Sequence, residues 1–241
     1  MLTAAVLGSC RVHTPVRMLA RDRIRTDHEG AEWYTHSTRD ALQKLKIVRR
    51  QLDLPAKVVP LVVESHAQKW NPARHHPTFY GRADVFVVEI CSRKIATNDG
   101  IYYQQWPTQM VVREPERYPE LVGYVEGATQ RIQSREELLG DLKLICDRLG
   151  RPVLFVPHLN VKMSNGQPFP ERTIIRDTLE QFCRSDRRAS LFDPTAIVAE
   201  HGEAQALVDS GHYREEFYPV LADGMFSALS TAASISSAAP A

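Results

Sequence analysis

The chain has 241 residues, 43% of them hydrophobic and 24% charged, with a formal net charge of +1. That length suits one α/β domain with a sizeable core. The near-zero charge gives no basic field for nucleic acid. No apolar run is long enough to cross a bilayer and none reads as a secretory signal. The expected setting is therefore cytoplasmic, with no nucleic-acid or membrane partner.

In chain order, Leu2–Leu7 is a short apolar run stopped by Gly8 and reads as a buried strand. Pro15 follows where the first turn of a helix tolerates it. Ser37-Thr-Arg-Asp40 resembles a capping box, and Leu42, Leu45, Val48 and Leu52 continue at helical spacing. Val58–Val63 is predicted as a second strand. Val85–Ile90 is a third, apolar enough to be covered on both faces. Ser134-Arg-Glu-Glu137 is a full capping box. Leu138, Leu142, Ile145 and Leu149 carry that helix to Gly150.

Val153–Val156 is a fourth strand, Glu171–Arg184 a helix, and Ser190–Phe192 a short fifth strand. Phe217, Leu221, Met225 and Leu229 mark the face of a last helix. The domain is placed at residues 1–229, and the Ser/Ala-rich residues 230–241 are expected to fray into a disordered tail. Strands alternating with helices predict a three-layer α/β/α fold around a five-stranded parallel sheet, flavodoxin-like in type. Ligands of such sheets bind at the carboxyl ends of the strands. The loops 8–14, 91–100 and 157–166 are thus the ones to watch.

The first of these holds Gly8-Ser9-Cys10-Arg11 between a strand and a helix. A helix amino terminus favours a thiolate and offers N–H groups to an oxyanion. Near the other end stands Asp209-Ser-Gly-His212, whose spacing lets the carboxylate orient the imidazole. Pro157-His158-Leu-Asn160 ends the fourth strand at the same edge, so His158 is a substrate contact or a rival base. Ser92 and Arg93 follow the third strand, and Thr97-Asn-Asp-Gly100 lies a few residues on. Four widely spaced cysteines form no CxxC pair. His75–His76 lacks the spacing that completes a metal site, and Glu64-Ser-His66 ends the predicted second strand.

Gly8-Ser9-Cys10 after the first strand and Asp209-x-x-His212 before the last helix together resemble the SGNH, or GDSL, hydrolase superfamily. The Gly-Ser-Cys start is also similar to its GSCFA branch and to capsule-polysaccharide biosynthesis proteins thought to be acyltransferases. The resemblance implies Cys10 as nucleophile, His212 as base and Asp209 as orienting acid, with Ser9 at the family's acidic position. The family's Gly-x-Asn-Asp block is missing. Ser9, Arg11, Ser92, Arg93, His158 and Asn160 are left as oxyanion or substrate contacts.

The expected activity is acyl transfer through a Cys10 thioester, to water as an esterase or thioesterase, or to a sugar or amine as an acyltransferase. No cofactor or metal is expected. The expected partners are a small-molecule acyl donor, for which an acyl thioester such as acyl-coenzyme A is a candidate, and an acceptor. The alternative is a non-catalytic small-molecule or carbohydrate-binding module on the same fold. A flavodoxin-like nucleotide binder ranks below both, because the first loop lacks a Gly-rich phosphate cradle.

Overall fold

A computed structural model describes residues 1–26, 34–63, 81–162 and 166–237. Its centre is a five-stranded sheet, parallel throughout: β1 (Leu2–Leu7), β2 (Ile24–Thr26), β3 (Val85–Ile90), β7 (Val153–Pro157) and β8 (Ala189–Leu191). The strands lie side by side as β2-β1-β3-β7-β8. This is the flavodoxin-like order, in which the direction of winding reverses between β1 and β3.

Alternation along β3 explains the two cores. Phe86, Val88 and Ile90 face a layer that includes α2 (Thr38–Val48), α6 (Arg135–Leu149) and α7 (Pro170–Ser185). Val85 and Val87 face α1 (Cys10–Leu19) and α10 (Tyr218–Ser237). All six residues of β3 are buried. Glu89 is one of them, and the period of two puts it on the α1 side.

The expected parallel sheet is present, but one of its strands is not the one predicted. Residues 58–63 include a short helix, α3 (Val59–Val62), preceded by a 3₁₀ turn over Ala56–Val58. Pro60 gives the reason: it lacks the N–H that a ladder needs and suits a first helical turn. The strand beside β1 is instead Ile24–Thr26, three residues with one buried side chain, too short to register as a hydrophobic run. Ser134 and Glu137 close their capping box, and Gly150 ends α6 with φ 63°. Ser37 caps α2 by accepting from the Asp40 N–H, while Asp40 reaches back to the His36 N–H.

Between β3 and α6 lies an addition of which only residues 91–100 were assigned from the sequence, as a loop. Here β4 (Lys94–Asn98), β5 (Ile101–Tyr103) and β6 (Thr129–Ile132) form an antiparallel sheet ordered β5-β4-β6. The helices α4 (Gln105–Arg113) and α5 (Pro119–Glu126) connect β5 to β6. Asp99 and Gly100 both adopt positive φ, 49° and 76°, as a two-residue hairpin turn requires. Thr97–Gly100 is therefore a hairpin tip, and the Asn98 amide is bonded to the Tyr124 carbonyl.

After β8 come α8 (Pro194–His201), α9 (Glu203–Ala206) and a second hairpin, β9 (Leu207–Asp209) with β10 (His212–Tyr213). The last helix continues past residue 229 to Ser237, and Ala232 is buried in the core beside it. No helix among the described residues is long and apolar enough to span a membrane. His75–His76 and Glu64–His66 lie outside the described residues.

Candidate active site

The β1–α1 turn forms because Gly8 lets the backbone lie against β3. A Cβ there would sit 2.3 Å from Val12 Cγ2 and 2.9 Å from Glu89 Cβ. Ser9 then caps α1: its hydroxyl accepts from the Arg11 N–H at 3.3 Å, and its own N–H donates to Glu89 Oε2 at 2.6 Å. Ser9 is buried and committed to this cap, whereas Cys10 is half-buried.

Glu89 is the hub of the turn. Arg11 Nε donates to its other oxygen at 2.7 Å, and Arg11 Nη1 reaches the Gly211 carbonyl at 3.3 Å. Burial alone would raise the Glu89 carboxyl, but Arg11 and the Ser9 N–H outweigh it and hold the group below the usual carboxylate range. Sequence reasoning passed over Glu89. The available signal was a lone acid in an otherwise apolar buried strand, which demands a buried partner.

Asp209 and His212 face each other across the β9–β10 hairpin as direct partners in the ladder. The expected turn or helix start is thus a two-residue hairpin, and the last helix begins only at Tyr218. Alternation turns Tyr213 inward, against Phe217 and Tyr218, and leaves His212 outward. His212 Nδ1 lies 2.9 Å from both Asp209 oxygens, so it donates there and leaves Nε2 as acceptor. The Gly211 N–H at 2.7 Å, with His212, keeps the Asp209 carboxyl below its ordinary range. Both side chains are more than half exposed.

Two arginines grip the turn of this hairpin by its carbonyls. Arg11 holds Gly211, and Arg172 Nη1 holds Ser210 at 2.6 Å and Leu159 at 2.8 Å. Arg172, stacked over Phe169 at 4.0 Å, was not foreseen from the sequence, since a helical arginine gives no motif.

Beside the turn is a cleft of about 330 Å³ whose walls include Arg11, His36, Ser92, Arg93, His158 and Arg172. His158 donates from Nδ1 to the Leu159 carbonyl at 3.1 Å. Burial, then Arg11 and Arg172, push its pKa down to about 3. It is a neutral imidazole near neutral pH and a poor proton acceptor, which weighs against it as a rival base. Arg93 is held in place by three of its five N–H groups: Nε and Nη2 meet Glu171 at 3.0 and 2.9 Å, and Nη1 donates to the Gln133 carbonyl at 3.0 Å. The Ser92 hydroxyl accepts from the Lys94 N–H and keeps its proton to give. Asn160 stands apart, bonded through its backbone N–H to Thr195 and through its amide to Thr173.

The expected preformed thiolate is not what the surroundings of Cys10 favour. Burial raises its pKa and outweighs Arg11 and the local N–H groups, while Glu89 adds to the rise. Cys146 and Cys183 are pushed up by burial to about 12, and Cys91 is raised further.

The sequence profile of the family described as "TviD N-terminal domain" matches residues 2–122 and 123–228, nearly the whole chain. The chain belongs to this family. A curated relative, the Vi polysaccharide biosynthesis protein TviD of Salmonella typhi, is 28% identical over 95 residues. That stretch is 39% of this TviD_N-family chain but only 11% of the relative. Among solved structures, a putative SGNH hydrolase from Slackia heliotrinireducens is similar at TM-score 0.48 and 10% identity, covering 95% of this chain and 98% of its own. A mutant of Axe2, an acetyl-xylooligosaccharide esterase from Geobacillus Stearmophilus, is similar at TM-score 0.49 and 9% identity, covering 95% and 94%.

Proposed function

We propose that this domain is an acyl-transfer enzyme in which Cys10 carries the acyl group as a thioester, His212 moves the proton and Asp209 orients His212. The observation that carries the reading is the Arg11 bridge from Glu89 to the Gly211 carbonyl. It ties the Cys10 turn to the hairpin that presents an Asp-paired imidazole with Nε2 free.

Cys10 Sγ attacks the acyl carbon as its proton passes to His212 Nε2. The leaving group takes that proton and departs. An acceptor hydroxyl then gives its proton to His212 and attacks the thioester, and the thiol is restored as the proton returns. The Ser92 hydroxyl, with N–H groups at the start of α1, is the proposed oxyanion donor set. The relative's role in polysaccharide biosynthesis supports a sugar hydroxyl as acceptor, and a thioester as donor needs no cofactor. No nucleic acid or membrane takes part, and the proposed setting is the cytoplasm.

The solvated Asp209–His212 pair and the raised Cys10 thiol favour one other reading, a binding module for a small molecule or carbohydrate. Intact-mass analysis after mixing with an acyl thioester separates the two. An acyl adduct that maps to Cys10, persists in Ser9→Ala and vanishes in Cys10→Ala is the expected result. An adduct retained in Cys10→Ala, or none in the native chain, removes the acyl-transfer reading.

A further inference from the structure

The antiparallel sheet and α4 enclose a second depression, a groove of about 450 Å³. It meets the cleft walled by Arg11, the residue that follows Cys10: Lys94 and Gln105 line both. The register gives the groove two ends. Lys94 pairs with Ile132 across β4 and β6, so these two and Gln105 stand at the cleft end. Gln130 lies further along β6, opposite Ala96. Val112 and Arg113 are at the far end of α4, about 12 Å from Gln105 at the helical rise per residue.

The chemistry changes along that length. Val112 and Ile132 leave aliphatic surface in solvent, 63% and 53% exposed. The amides of Gln105 and Gln130 punctuate it. Arg113 at the far end and Lys94 at the near end have no ion-pair partner among the described residues, whereas Arg93 and Arg131 have theirs. Such a surface suits a long ligand that alternates amides with aliphatic carbons and ends in an anion. A sugar chain is a poorer match, because the aromatic ring in the lining, Tyr103, is only 5% exposed and offers no stacking face.

We propose that this groove is the acyl-donor subsite and seats the phosphopantetheine arm of an acyl thioester, with its phosphate at Arg113 and its sulfur toward Cys10. The inference rests on the acyl-transfer reading and names the donor for it. The arm supplies two amides, a dimethyl carbon and a terminal phosphate in one flexible thread. Coenzyme A and a carrier-protein prosthetic group share that chemistry.

Two measurements test it on the full chain. The first is calorimetric binding of desulfo-coenzyme A, which cannot react, to the Cys10→Ala protein. Binding is expected, and Arg113→Glu or Val112→Asp should weaken it tenfold or more with an unchanged circular-dichroism melt. Both side chains are exposed, so folding should survive. The second compares acetyl-N-acetylcysteamine, which lacks the phosphate, with acetyl-phosphopantetheine and acetyl-coenzyme A. Arg113→Glu should raise the KM ratio of phosphorylated to short donor about tenfold.

Equal use of the two phosphorylated donors points to a carrier-borne arm, and a preference for coenzyme A to the free nucleotide form. Absence of desulfo-coenzyme A binding, or a KM ratio that Arg113→Glu leaves in place, overturns the subsite. So does an acidic glycan that binds in its stead and is lost with Arg113→Glu. Binding without any Cys10 acyl adduct would sink the acyl-transfer reading and leave the subsite standing, so the two failures are distinct.

Discussion

Replacing Glu89 by Gln tests whether the Cys10 turn is held by a buried charge or merely by shape. Gln keeps the volume but removes the charge that faces Arg11 Nε at 2.7 Å and the Ser9 N–H at 2.6 Å. Glu89 is fully buried and the Arg11 side chain is only 11% exposed, so the guanidinium would be left uncompensated. Stripping one partner from a buried pair costs about 3–5 kcal/mol. In a domain of this size that is a fall in Tm of roughly 6–20 °C. The folded-state carboxyl lies below its ordinary value of 4.5, so its stabilisation is complete above that pH and is lost as pH falls through the folded value. Urea titrations of native and Glu89→Gln protein at pH 7 should therefore differ by several kcal/mol, and the gap should close on acidification below about 4.5. Arg11→Met added to Glu89→Gln should recover much of the loss, because two matched neutral side chains leave no orphan charge. A loss under about 1 kcal/mol at pH 7, or a gap that persists at low pH, would refute the reasoning.

Iodoacetamide should label Cys10 before Cys146, Cys183 and Cys91, at a rate that climbs about tenfold per pH unit through neutrality, because the thiol is raised rather than pre-ionised; a plateau below pH 7 in peptide mapping would contradict this. His212→Ala should cut the rate of acyl-enzyme formation by about 10³-fold or more, whereas His158→Ala, which removes an already neutral ring, should cost far less; equal losses would reopen the choice of base. Arg172→Met should lower kcat more than it alters thermal stability, since it frees the Ser210 carbonyl at a partly exposed turn; Arg172→Lys should restore part of the rate, and an unchanged kcat would show that Arg11 alone suffices. Deleting residues 230–241 should lower Tm, because Ala232 is packed in the core; a melt identical to that of the full chain would show that the end of α10 contributes nothing.

The elements that announce themselves by burial were legible. β1, β3, β7, α6 and α10 each bury a long periodic face, and the capping box at Ser134 states its own boundary. The true β2 was not, because three residues with a single inward side chain make no periodic signal. The antiparallel insertion was overlooked although Asp99-Gly100 is a hairpin dipeptide; its meaning was masked by reading the segment as catalytic loop. At the candidate site, Cys10, Asp209 and His212 were visible as chemistry-bearing residues at two strand ends. The struts that place them, Glu89 and Arg172, were invisible because their roles depend on contacts with residues 78 and 38 positions away. The expectation of a thiolate failed for a related reason. The dipole and Arg11 were readable in sequence, but the desolvation that outweighs them exists only once the turn is packed.

The Arg11–Gly211 contact joins positions 200 residues apart. A ribosome delivers them far apart in time. While α1 and the first strands are emerging, Arg11 lacks the carbonyl that anchors it. The Cys10 turn is tied to the Asp209–His212 pair only when the late hairpin docks. Under the proposed mechanism, a chain interrupted before that hairpin would keep the thiol without its base.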